Sequence, residues 1–171
     1  MSKRALKSYL KELTKDQLEA QVLDLYARFK QVKTFYDFSF NPKEDKLITE
    51  AKQKISKEYF PQTRRRPKAR RSIAQNYIKH FLQIGVQESL LADLMLFNLE
   101  TAQRYNLSRP QKADAFYKSL ANSFIQALSF VQYHRLQVEF GHRLKAFVAE
   151  TQNQDWCNYE FLAEKLEEVL L

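Results

Sequence analysis

Apolar residues in this chain recur every three or four positions almost from end to end, the spacing that lines up side chains along one face of a helix. Leu6, Tyr9, Leu10 and Leu13 mark a short first helix behind a Ser2 cap. Thr14 opens a second, with Gln17 three residues on as the other half of a capping box. Leu18, Val22, Leu25, Phe29 and Val32 carry its apolar stripe. The aromatic run Phe35, Tyr36, Phe38 and Phe40 reads as the end of that helix or as a separate turn under the next loop. Asn41-Pro42-Lys43-Glu44 then has the grammar of a helix start, with an Asn cap, Pro at the first helical position and Glu to close the box. The third helix turns Ile48, Ala51, Ile55 and Tyr59 inward and ends before Pro61. A fourth, from about Ser72, shows Ile73, Tyr77, Phe81 and Ile84 and is closed by Gly85.

The fifth predicted helix, residues 87–105, differs in kind. Leu90, Leu91, Leu94, Met95, Leu96, Phe97 and Leu99 cover nearly its whole circumference, which places it in the centre of a bundle or at an oligomer interface. Ser108-Arg109-Pro110-Gln111 repeats the cap grammar and predicts a sixth helix carrying Phe116, Leu120, Phe124, Leu128 and Val131. A seventh covers about 136–151, where Gly141 predicts close packing or a bend, and a last helix follows the polar joint 152–155. No segment alternates like a strand, and two glycines and four prolines are few for the turns of a sheet. The expected fold is therefore all-α. It has about seven or eight helices packed as antiparallel hairpins in one domain, residues 1–171, a packing that can curve into a superhelix.

Composition narrows the setting. The single cysteine, Cys157, allows no internal disulfide, and the basic opening residues are not followed by the apolar run of a signal peptide. No stretch approaches the roughly 20 apolar residues of a membrane span, so the expectation is a cytoplasmic protein without a membrane partner. Charge is uneven: residues 1–80 hold 20 Lys/Arg against 9 Asp/Glu, and residues 81–171 hold 8 against 11. A basic half beside an acidic half suits a polyanion partner, self-association between unlike ends, or a surface compensated within the fold.

Candidate chemistry is sparse. Arg64, Arg65, Arg66, Lys68, Arg70 and Arg71 place six cations in eight positions, and arginine forks pair with phosphates. Tyr59, Phe60 and Tyr77 flank them, and an exposed ring can stack on a base. The competing reading is a solvated loop whose flanking rings are core. Glu139 and His142 spell E-x-x-H, but di-iron bundles converge two such motifs and two further glutamates. His80 and His134 lie elsewhere in the chain, so a structural histidine–carboxylate contact is the better reading and no metal site is assigned. Cys157 has no histidine beside it, and the chain lacks a phosphate-cradling glycine loop. No catalytic residue and no cofactor is nominated.

The opening Ser2-Lys3-Arg4-Ala5-Leu6-Lys7 with Tyr9-Leu10 and Leu13, the block Tyr36-Asp37-Phe38 through Phe40-Asn41-Pro42-Lys43-Glu44-Asp45, and Lys57-Glu58-Tyr59-Phe60-Pro61 resemble a family of small uncharacterised bacterial proteins, a domain of unknown function. The resemblance implies a bacterial, cytoplasmic, helical protein and carries over no activity, cofactor or catalytic residue. Three function classes follow from the residues. The leading expectation is a non-enzymatic helical module that binds protein partners or itself, through grooves or the apolar fifth helix. The alternative is nucleic-acid or polyanion binding through the connector 64–71. A metal-dependent enzyme using His134, Glu139 and His142 ranks last.

Overall fold

Every regular element of the computed structural model is an α-helix among the residues it describes, 2–62, 64 and 66–170. In chain order these are α1 (Lys3–Glu12), α2 (Lys15–Arg28), α3 (Lys30–Phe40), α4 (Glu44–Tyr59), α5 (Arg71–Ile84), α6 (Glu88–Ser108), α7 (Asp114–Tyr133), α8 (Gln137–Asn153) and α9 (Tyr159–Leu170). They form two compact units, Met1–Lys43 and Glu44–Leu171.

The first unit shows how local chemistry sets helix ends. The Ser2 hydroxyl accepts from the Ala5 N–H at 3.2 Å. Thr14 and Gln17 form the reciprocal box, Gln17 N–H to Thr14 Oγ1 at 3.3 Å and Thr14 N–H to Gln17 Oε1 at 2.9 Å. The second helix does not run on to Val32. Phe29 is extended (φ −113°, ψ 112°), ending α2 and capping α3 with one residue. The aromatic run is thus a helix of its own. It is fastened to α2 by the Tyr26 hydroxyl, which donates to Asp37 Oδ1 at 2.7 Å, while Gln21 Nε2 donates to the Tyr9 hydroxyl of α1 at 2.7 Å. No residue of 2–43 is buried.

The second unit is built around α6, which packs against α4, α5, α7 and α8, while α9 closes over α7 and α8. The all-round apolar pattern of α6 has the central meaning it suggested, not the interfacial one: Leu94, Leu96 and Leu99 are 0% exposed and Met95 3%. Gly85 (φ +81°) ends α5 in the left-handed conformation that glycine adopts without a Cβ clash. The Gly85 and Val86 amides both bond the Phe81 carbonyl, and Val86 is tucked into the core. Gly141 is buried within α8.

Two cap assignments are corrected, one by a tertiary partner and one by a bond within the preceding helix. Asn41 ends α3, its N–H reaching the Asp37 and Phe38 carbonyls, and α4 begins at Glu44. The Glu44 carboxylate instead accepts from the Gln87 N–H at 2.8 Å and so serves the start of α6. Ser108 is the last residue of α6, with its hydroxyl on the Tyr105 carbonyl at 2.9 Å, and α7 waits until Asp114. The intervening loop is held by Asn106, whose Oδ1 accepts from the Gln111 N–H at 2.9 Å.

Candidate functional site

The basic connector leaves α4 at Tyr59 and returns to the fold at Arg71. Its last three residues, Lys68–Arg70, are tied to the end of α4. The Lys68 and Ala69 amides both donate to the Glu58 carbonyl, at 3.1 and 3.0 Å, near the end of α4 where such carbonyls lack helical partners. The Arg70 fork then closes on the Glu58 carboxylate, Nε to Oε2 at 2.9 Å and Nη2 to Oε1 at 2.8 Å. These hydrogen bonds hold the Glu58 carboxyl below the usual carboxylate range and raise Arg70 further above its own. Ala69 takes a positive φ of 47° to make the turn.

The six predicted cations have different fates. Arg64, Arg66 and Lys68 are exposed. Arg70 is spent on Glu58. Arg71 is the first residue of α5, and its Nε donates at 2.7 Å to the hydroxyl of Ser123, a buried residue of α7. Arg65 lies outside the described residues.

Around this segment the surface is furrowed. One cleft of 340 Å³ is lined by Lys57, Glu58, Pro61, Arg66, Lys68 and Arg70, among others. A second, of 320 Å³, shares Pro61 and is walled by Phe60, Arg64, Pro67, Tyr105 and Arg109. A third, of 460 Å³, shares Lys57 with the first and Phe60 with the second, and runs up α4 past Ser56 to Lys52. Of the three flanking rings, Tyr59 is core, its hydroxyl raised to about 12 by burial, and Tyr77 is half-buried against Phe81. Phe60 is the open one, 43% exposed, in a T-shaped contact with Tyr105 with ring centroids 6.1 Å apart.

A model of the family of unknown function DUF6155 matches residues 1–169. The chain belongs to this family. No curated protein and no solved structure shows a significant match.

The other candidates of this DUF6155 chain are placed apart from the furrow. Glu139 and His142 are exposed on α8, and His134 caps α7 with its ring 4.3 Å from that of Phe130. Among the described residues, no three or more His, Cys, Asp or Glu side chains are gathered as metal ligands. Cys157 is exposed in the turn before α9. Sequence reasoning missed Lys57 and Arg109 as members of the furrow: the first was noted only in the block that carries the family resemblance, and the second was read as part of a helix cap.

The first unit carries a different kind of feature. Leu6 and Tyr9 of α1, Val22, Leu23 and Leu25 of α2, and Phe29, Phe35 and Phe40 are between 39% and 85% exposed, with Phe40 the most open. Tyr36 stacks on Phe40 with ring centroids 6.3 Å apart and meets the edge of Phe35 at 5.5 Å. No helix among the described residues is long and apolar enough to cross a membrane.

Proposed function

We propose that this chain is a non-enzymatic interaction module and that residues 2–43 are its docking arm for a helical protein surface, a second copy of the chain included. One observation carries the reading: three helices with an apolar and aromatic face bury none of their residues. A segment of about 40 residues does not make a sufficient core alone and normally needs a disulfide, a metal or a partner. The lone Cys157 lies in the other unit, so no disulfide braces α1–α3, and a partner that covers their apolar residues would supply the missing burial. Exposed Tyr and Phe on a braced helix pair are the anchors that bury well at protein interfaces. This reading moves the expected interaction surface from α6, which is interior, to α1–α3.

Size-exclusion chromatography with light scattering, paired with hydrogen exchange, tests it. The expected result is a dimer or a co-purifying protein, with protection at Phe35–Phe40 that Phe35→Ser with Phe40→Ser abolishes. A strict monomer whose α1–α3 amides exchange without protection, and whose behaviour the double variant leaves unchanged, overturns it.

A further inference from the structure

We infer that the furrow around the end of α4 is a groove for single-stranded nucleic acid, in which Lys57, Arg64, Arg66, Lys68 and Arg109 meet phosphates and Phe60 is a stacking platform for a base. The inference is independent of the docking arm, because it rests on residues of the second unit alone.

Charge is the first support. The three clefts adjoin one another pairwise, at Lys57 and Gln62, at Phe60 and at Pro61, and together make up the furrow. In a chain with 20 Asp/Glu, the only carboxylate on those walls among the described residues is Glu58, and both its oxygens are taken by Arg70. Among the described residues, no carboxylate pairs with Lys57, Arg64, Arg66, Lys68 or Arg109. Five like charges grouped around one carboxylate that is already forked to Arg70 repel one another, a cost that a bound polyanion offsets by releasing its own counterions.

Order is the second. The two amide bonds to the Glu58 carbonyl and the Arg70 fork fix Lys68–Arg70 before any ligand arrives. Binding therefore loses less conformational entropy than it would on a floppy basic loop.

The aromatic ring decides among polyanions. An acidic peptide offers carboxylates but no flat base, and a duplex keeps its bases stacked inside. A single strand presents phosphates and open bases together, and base–aromatic stacking tolerates any sequence. Phe60 stands at the junction of two of the clefts and is braced by Tyr105, which also packs on the buried Tyr59 at 5.6 Å. That contact supports one side of the ring. A lone nucleotide would call for an enclosed pocket with convergent donors, whereas this furrow is open along its length.

Fluorescence anisotropy with labelled oligo-dT and oligo-U of about 12 nucleotides, a duplex of the same length and labelled poly-glutamate tests the inference across a salt series. Both single strands are expected to bind more tightly than the duplex. The logarithm of affinity should fall with the logarithm of salt by about 0.7 for each phosphate met. Phe60→Ala should weaken single-strand binding about 5- to 150-fold at fixed salt while leaving the salt slope unchanged. Arg66→Glu and Lys68→Glu, made singly so that the fold is kept, should each weaken binding and flatten the slope. Absence of binding at low salt overturns the inference. So does poly-glutamate binding as tightly as oligo-dT with no effect of Phe60→Ala, which would assign the furrow to an acidic protein. Equal affinity of both glutamate variants and wild type also overturns it.

Discussion

Arg143 of α8 holds Glu100 of α6 with two parallel bonds, Nε to Oε1 at 2.7 Å and Nη2 to Oε2 at 2.9 Å. Its third nitrogen reaches Asp93 at 2.7 Å, and Asp93 also accepts from Lys52 of α4. One half-buried cluster thus ties three helices across separations of 41 to 50 residues in the chain. Burial by itself would raise the Asp93 carboxyl, but the hydrogen bonds and charges of Lys52 and Arg143 outweigh it and hold Asp93 below the usual range.

A depressed folded pKa gives stability that is fully present above the unfolded value, about 4 for a free aspartate, and is lost as pH falls through the lower folded value. Wild-type protein should therefore lose stability as pH drops below about 4. Asp93→Asn should be less stable at pH 7 and show a flatter profile below it. Arg143→Ala should cost about 1.5–3 kcal/mol at pH 7, because it strips charged hydrogen bonds from two carboxylates. Urea melts at stepped pH check all three statements, and parallel profiles for wild type and Asp93→Asn would contradict the first two.

The centre of α6 makes a second prediction. Leu94 is 0% exposed and Met95 3%, about 100° apart around a helix that is covered by its neighbours. Leu94→Ala and Met95→Ala should each cost about 2–5 kcal/mol, from lost transfer energy and the cavity left behind. Chemical denaturation measures this directly. Melts that match wild type would show that α6 is not the hub of the fold.

Asn98, on the same helix, is 0% exposed, and neither its Oδ1 nor its Nδ2 has a hydrogen-bond partner among the described residues. A buried amide left unmatched costs about 1–3 kcal/mol, and leucine has the same number of side-chain heavy atoms with no polar group to satisfy. Asn98→Leu should raise stability by up to about that amount. A loss of more than about 1 kcal/mol in the same urea assay would show instead that Asn98 serves a polar partner, such as a buried water.

What was legible in the sequence was what local chemistry dictates. The Thr14–Gln17 box, the Gly85 terminus and the all-round apolar surface of α6 depend on residues within a few turns of each other, and burial then chose the centre over an interface for α6. The break at Phe29 was not legible, because no glycine or proline marks it and the apolar stripe runs through it. Asn41-Pro42-Lys43-Glu44 and Ser108-Arg109-Pro110-Gln111 both spelled caps, yet Glu44 found Gln87 and Ser108 found Tyr105. Composition marked the connector as basic. It could not say that Arg70 and Arg71 would be consumed by Glu58 and Ser123, or that Lys57 and Arg109 would join the exposed cations from other elements. Those pairings belong to the tertiary fold.

The two units should also behave differently when separated. Every buried residue among those described lies in Glu44–Leu171, and the ties listing α4, α6 and α8 together fall wholly within it. Residues 44–171 expressed alone should therefore melt cooperatively with a midpoint within a few degrees of the full chain. Residues 1–43 alone should show little helix at micromolar concentration, because three short helices without a buried residue gain too little to offset their ordering entropy. Helix should return to that peptide when it is concentrated or mixed with a partner that covers Leu6, Val22, Phe35 and Phe40. Circular dichroism of both pieces over a concentration series is the measurement. A dilute 1–43 peptide that is fully helical and monomeric would show that its own side chains suffice, and the docking-arm reading would lose its physical basis.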